Sequence, residues 1–179
     1  MKKTLLTTAI LATTLLSSSA VFAATVDTTV PAQTTVHWEG SIADIIPGDN
    51  IIITGKDSSV NIANGTLNLE ANGTFDSTEI VLESHDYDNT TLIIGDMAAA
   101  TWTLESVQYT WGENIVRSSN VEVFDVATPT VALVVGTAIP ATESMSLNVK
   151  NAAPLSPADI TDKTATANVD VTMTAAFVL

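Results

Sequence analysis

From residue 35 onward the chain alternates β-branched or small apolar residues with polar ones at a period of two, and almost no stretch has the three-to-four spacing of an amphipathic helix. The pattern predicts an all-β fold. Pro47-Gly48-Asp49-Asn50 predicts a turn between strands at 42–46 and 51–54, and Lys56-Asp57-Ser58 a turn into a strand at 60–63. Asn64-Gly65 and Asn72-Gly73 each read as a two-residue hairpin turn flanking Leu67-Asn68-Leu69. They sit in the repeated words Ala63-Asn64-Gly65-Thr66 and Ala71-Asn72-Gly73-Thr74, whose period nothing else in the chain continues. Further strands are expected at 79–83, 91–95, 101–109, 120–124, 130–135 and 144–149. One strand roughly every ten residues suggests two sheets packed as a sandwich.

The two ends of this β region carry the most specific pattern. From Ala167 to the last residue, Val169, Val171, Met173, Ala175, Phe177 and Leu179 share one face with Ala167, while Asn168, Asp170, Thr172 and Thr174 take the other. Chain ends fray unless something ties them down, so a terminal strand that keeps its apolar face to Leu179 expects a partner. At the other end, residues 24–34 alternate Val26, Thr28, Val30, Ala32 and Thr34, and Pro31 argues against a central place in a sheet. A strand-like tail and an unfinished sheet edge are the two halves of strand addition between chains. Such a head-to-tail contact propagates instead of closing.

Ahead of this tail, Lys2 and Lys3 precede the short apolar run of Leu5, Leu6, Ala9, Ile10, Leu11, Ala12, Leu15 and Leu16, and Val21 and Ala23 supply the small residues of a cleavage site. Residues 1–23 therefore read as a secretory signal peptide, with the mature protein starting at Ala24. Removing 23 of 179 residues leaves 156, enough for one domain at 35–179 behind the tail. The remaining basic residues, Lys56, Arg117, Lys150 and Lys163, face twenty acids, a mature net charge of −16. A surface of that sign repels phosphates, which excludes nucleic acid as a partner. There is no cysteine despite the exported context, so no disulfide, thiol chemistry or cysteine metal site is available.

Little in the chain suggests catalysis. His85-Asp86-Tyr87-Asp88-Asn89 gathers a histidine and carboxylates in what reads as a loop, and Asp86, Asp88 and Thr90 fall on alternate positions. The glycine of a calcium loop is missing at Thr91, so no metal or cofactor is assigned. His37 is out of phase with Val36 and Trp38 and reads as solvent-facing. No Gly-x-Ser-x-Gly elbow is present, and no enzyme is expected. Trp102, Tyr109 and Trp111 read as core packing, with a sugar-stacking surface as the alternative.

Thr35-Val36-His37-Trp38-Glu39-Gly40-Ser41-Ile42 resembles the first strand of the pilins of the bacterial chaperone–usher pathway, often Thr-Val-His-Phe-x-Gly-x-Val, with Trp in place of Phe. The alternating C-terminal strand with Phe177 near its end is similar too, although the aromatic in that family is more often penultimate. Many rod pilins carry a disulfide on the first strand. The cysteine-less chain is more similar to the colonisation-factor fimbriae of enteric bacteria.

The resemblance implies an immunoglobulin-like sandwich that lacks one strand. It implies a periplasmic chaperone beside the strand ending at Leu179, then an outer-membrane usher at which the tail of the next subunit takes the chaperone strand's place. Val26, Thr28, Val30, Ala32 and Thr34 would then point into the groove lined by Val169, Val171, Met173, Ala175, Phe177 and Leu179 of a neighbouring pilin. The product would be a fimbria at the cell surface, with a host-cell receptor as a further partner.

A monomeric secreted or cell-surface binding module for carbohydrate or cell wall is the other reading. Trp102-Thr103-Leu104 is similar to the Trp-x-Leu motif of Gram-positive cell-wall-binding domains, but that motif is paired and near the C-terminus, and here it is single and central.

Overall fold

The computed structural model describes residues 30–38, 45–116, 120–160 and 162–177. The signal segment, Val26, Thr28 and Leu179 lie outside the described residues, as does the side chain of His37. Among the described residues alternation becomes strand almost everywhere, and a 3-10 turn forms at Lys56–Ser58. In chain order the strands are β1 (Ala32–His37), β2 (Ile45–Ile46), β3 (Ile51–Gly55), β4 (Leu67–Leu69), β5 (Phe75–Ser77), β6 (Ile80–Asp88) and β7 (Ile93–Met97). They continue with β8 (Ala100–Trp111), β9 (Asn114–Ile115), β10 (Val121–Asp125), β11 (Ala138–Thr142), β12 (Ser144–Asn151) and β13 (Ala167–Ala176).

Two antiparallel sheets face each other across one core, the arrangement of a β-sandwich. One sheet runs β11-β8-β13-β1-β2, with β9 also paired to β8. The other runs β3-β6-β12-β5-β4, with β10 added to β12 and β7 to β6. Each sheet buries one set of alternate side chains. In the first, Val36, Trp102, Leu104, Tyr109, Val169, Val171 and Met173 point inward, and the opposite face carries threonines. There Thr35 Oγ1 lies 3.1 Å from Thr172 Oγ1, and the Thr174 hydroxyl donates to Glu105 Oε1 at 2.8 Å. An apolar inner face and a polar outer face are what an antiparallel sheet with one wet side requires.

Strand β8 shows how a strict alternation can be broken usefully. Trp102 and Leu104 are inward, and so are Tyr109 and Trp111, although the two pairs have opposite parity. The pairing with β13 slips by one residue between Ser106 and Leu104, leaving Glu105 as the extra residue of a bulge. That insertion flips the phase and keeps both aromatic pairs in the core. Tyr109 packs edge to face on Phe75, with ring centres 5.2 Å apart, and burial pushes its hydroxyl up to about 12. The aromatics are therefore core, and the sugar-stacking alternative does not hold for them.

Several expected elements change. Residues 60–66 form no strand, and Asn64-Gly65 is not a hairpin turn. Gly65 is instead where Trp38 lies against the backbone, since a Cβ there would sit 2.1 Å from Trp38 Cδ1. The second repeat word does turn, with Asn72-Gly73 joining β4 to β5. The stretch at 130–135 is a connection, not a strand, and β11 forms just after it around Pro140. His85 to Asp88 belong to β6, not to a loop, and His85 is buried.

Candidate functional site

The two chain ends singled out by their alternation meet in this fold, within one chain. Strand β1 lies antiparallel to β13, with Ala32 opposite Ala175, Thr34 opposite Met173 and Val36 opposite Val171. The Trp38 amide extends the ladder by donating to Val169 O at 3.1 Å. On its other side β13 is paired with β8 along its whole length. Val169, Val171, Met173 and Ala175 are consequently sealed in the chain's own core, and Phe177 is half-buried against it.

Of the residues read as the tail, Ala32 and Thr34 point into the core of their own molecule and Gln33 does not. The boundary between tail and domain moves, however. Ala32 and Thr34 are part of the first strand and are fully buried in their own molecule, because strand pairing with β13 starts at Ala32 and not at residue 35. Val30 stands just outside the strand and is more than half exposed. Its N–H donates to Asp49 Oδ2 at 3.0 Å, and Asp49 N–H donates to Val30 O at 3.2 Å. Gly48 lets this turn come close, as a Cβ there would meet Val30 O at 2.3 Å. The tail thus leaves the body beside the turn between β2 and β3.

A second cluster sits on the outer face of β3 and β6. Glu83 and His85 are buried there, beside the 3-10 turn. Asp57 and Ser58 both have positive φ, 60° and 58°, and their successive N–H groups converge on the Glu83 carboxylate at 3.0 and 2.9 Å. His85 Nε2 lies 3.3 Å from Glu83 Oε2, and Nδ1 lies 3.2 Å from the Gly95 carbonyl. Although burial opposes the charge, the Ser58 and Asp57 amides and His85 together hold the Glu83 carboxyl below its usual range. The cluster fastens the turn and β7 onto β6. Its oxygens are already used, and among the described residues no three His, Cys, Asp or Glu side chains converge on a common point.

The pair was missed in the sequence because Glu83 and His85 alternate with Leu82 and Ser84 as any outer strand face does. A comparison of the chain with protein-family models, with curated proteins and with solved structures found no match.

Proposed function

We propose that this chain is a structural subunit of an adhesive surface fimbria, assembled by giving its N-terminal segment to the next subunit. One observation carries the reading: β1, the first described strand, lies antiparallel on β13, the last described strand, with Ala32, Thr34 and Val36 inward, and in the sequence the same alternation continues upstream at Val30, Thr28 and Val26. The N-terminal segment thus has the residues of a strand that runs past the end of its own sheet. Passed to a neighbour, that overhang completes a sandwich in trans and makes an open, head-to-tail chain of subunits. The resemblance of the first strand to chaperone–usher pilins adds an immunoglobulin-like topology, export, a periplasmic chaperone, an outer-membrane usher and copies of the same chain as partners.

The test is assembly of the mature chain, residues 24–179, with and without residues 24–31. The full mature chain should give a concentration-dependent ladder of oligomers by size-exclusion chromatography and electron microscopy, and the truncated chain a monomer. A monodisperse monomer from both, at concentrations up to millimolar, would sink the fibre reading.

A second reading has an observation of its own. Strand β13 is flanked by β8 and β1 of the same chain, so the sheet around it is complete. A closed, monomeric surface binding module is what a sandwich finished in this way would be.

A further inference from the structure

The two sides of the sandwich are not finished alike. Where β2, β1 and β3 meet, the sheets contact each other and Val30 is tied to Asp49. On the opposite side the outermost strands are β11 of one sheet and β10 of the other. The connection at 126–137 bridges the two sheets there, with Leu133 N–H donating to Val123 O of β10 and Gly136 N–H to Leu104 O of β8, the strand beside β11. Beneath that crossing lies a groove of about 530 Å³. Val126, Leu133, Ile139, Pro140, Ala141 and Met145 line it, and Asp125 stands at its end. Along the crossing, Val131, Val134 and Val135 are each more than half exposed. Apolar side chains left in water beside a preformed groove are the mark of an interaction surface.

We infer that this groove receives the N-terminal tail, Ala24 to Thr29, of a second copy of the chain. The inference rests on the fibre reading and names its acceptor. Three observations select the occupant. The tail is the stretch of mature chain that precedes the described body, and it joins the body at Val30, on the opposite side of the sandwich from the groove. A donor on one side and an acceptor on the other give a contact that repeats without closing. The tail is also small and nearly uncharged, with Ala24, Val26, Thr25, Thr28 and Thr29 beside the single acid Asp27. That suits a shallow groove walled by Ala141 and Pro140.

Charge completes the argument. Asp125 lines the groove, and the exposed Glu143 stands in the turn between the lining residues Thr142 and Ser144. The body of another copy, strongly acidic, is repelled from it. The mature amino terminus at Ala24 instead brings an ammonium group to these carboxylates.

The experiment measures binding and assembly separately. A peptide of residues 24–33, labelled at its C-terminus, is titrated into the chain lacking residues 24–31, and oligomers are followed in the full mature chain. The groove variants are Ala141→Arg and Ala127→Arg, both at exposed positions, with Leu92→Ser as a distant surface control. The peptide should bind. Each arginine should weaken binding by at least about tenfold by putting a bulky cation in the tail's path that also repels its terminal ammonium, and acetylating the peptide's amine should weaken it about threefold. Leu92→Ser should change nothing.

Loss of oligomers in the arginine variants, with the folded monomer intact by circular dichroism, supports the groove. If residues 24–31 are needed for assembly but the arginine variants assemble and bind peptide normally, the fibre reading stands and the groove is overturned. If oligomers survive deletion of 24–31, the tail is not the occupant and the inference fails. If nothing assembles, the fibre reading fails, and peptide binding that the arginines abolish still supports the groove, whereas absent binding overturns it.

Discussion

The β1–β2–β3 side of the sandwich and the β10–β11 side are built from the same kinds of residue and end in opposite states. On the first, every residue of β3 is buried even though β3 is the last strand of its sheet. Ile51 and Ile53 face the core, and Ile52 and Thr54, on the other face, pair with His85 and Glu83, whose carboxylate fastens the 3-10 turn. On the second, valines of the same size are left in solvent. The difference lies in what covers an edge: a buried edge strand needs its polar atoms satisfied and its outer face capped, and only one side has the cap. On the proposed reading, the β10–β11 side is the one that receives a partner.

That contrast is most easily broken from the closed side. Ile53 has no exposed surface and sits between the two sheets, so Ile53→Ala should cost about 2–5 kcal/mol, the range for deleting a buried branched side chain. Urea unfolding should show the midpoint falling with little change in slope. A loss under about 1 kcal/mol would mean that this edge is looser than its burial indicates.

Gly65→Ala probes the same half of the molecule at one point of contact. The new methyl would overlap the Trp38 indole, which is buried and fixed by its Nε1–H donating to Thr78 O at 2.9 Å. Displacing that ring strains its hydrogen bond and packing, so overpacking should cost about 1–3 kcal/mol. Tryptophan fluorescence should report the displacement together with the lowered thermal midpoint.

The Glu83 cap predicts a pH dependence. Its carboxyl is held below the ordinary range in the folded chain, so the folded state binds its proton less readily than the unfolded state. The stability this gives is fully present above the ordinary carboxylate range and is lost as the pH falls through the lowered value. Glu83→Gln puts an amide N–H₂ where one of the two backbone N–H groups needs an acceptor, at a cost of about 1–3 kcal/mol at neutral pH. The gap between variant and parent should then narrow on acidification, because the parent loses its carboxylate too. A gap that stays constant between pH 7 and pH 3 would show that Glu83 acts through packing and not through its charge.

Much of this fold was legible in the alternation, and its failures have particular causes. The long strands β8 and β13 were readable because one wet face makes the period visible over many residues. Strand β11 was hidden by Pro140, which is admissible only because the strand is an edge, a fact set by distant pairing. Residues 63–66 and 71–74 are the same word, yet one meets Trp38 and the other turns. Local sequence could not separate them, since the indole arrives from a strand remote in the chain. The inward phase of Ala32, Thr34 and Val36 in β1 was legible for the same reason as β13. That β1 would take the place beside β13, and that the open groove would fall between β10 and β11, depended on long-range register that no local pattern encodes.

The smallest expected effect is the most discriminating. Val134 is about two-thirds exposed, on the connection that bridges β10 and β11, and Val134→Ser removes apolar surface that the isolated monomer barely buries. Its stability should change by no more than about 0.5 kcal/mol. Partner binding should nonetheless weaken, because the same surface is lost from the complex. The expected result is an unchanged urea midpoint and a lower oligomer fraction at a given concentration. A monomer clearly destabilised by Val134→Ser would mean that this crossing is already packed, and the two sides of the sandwich would then be more alike than their exposures show.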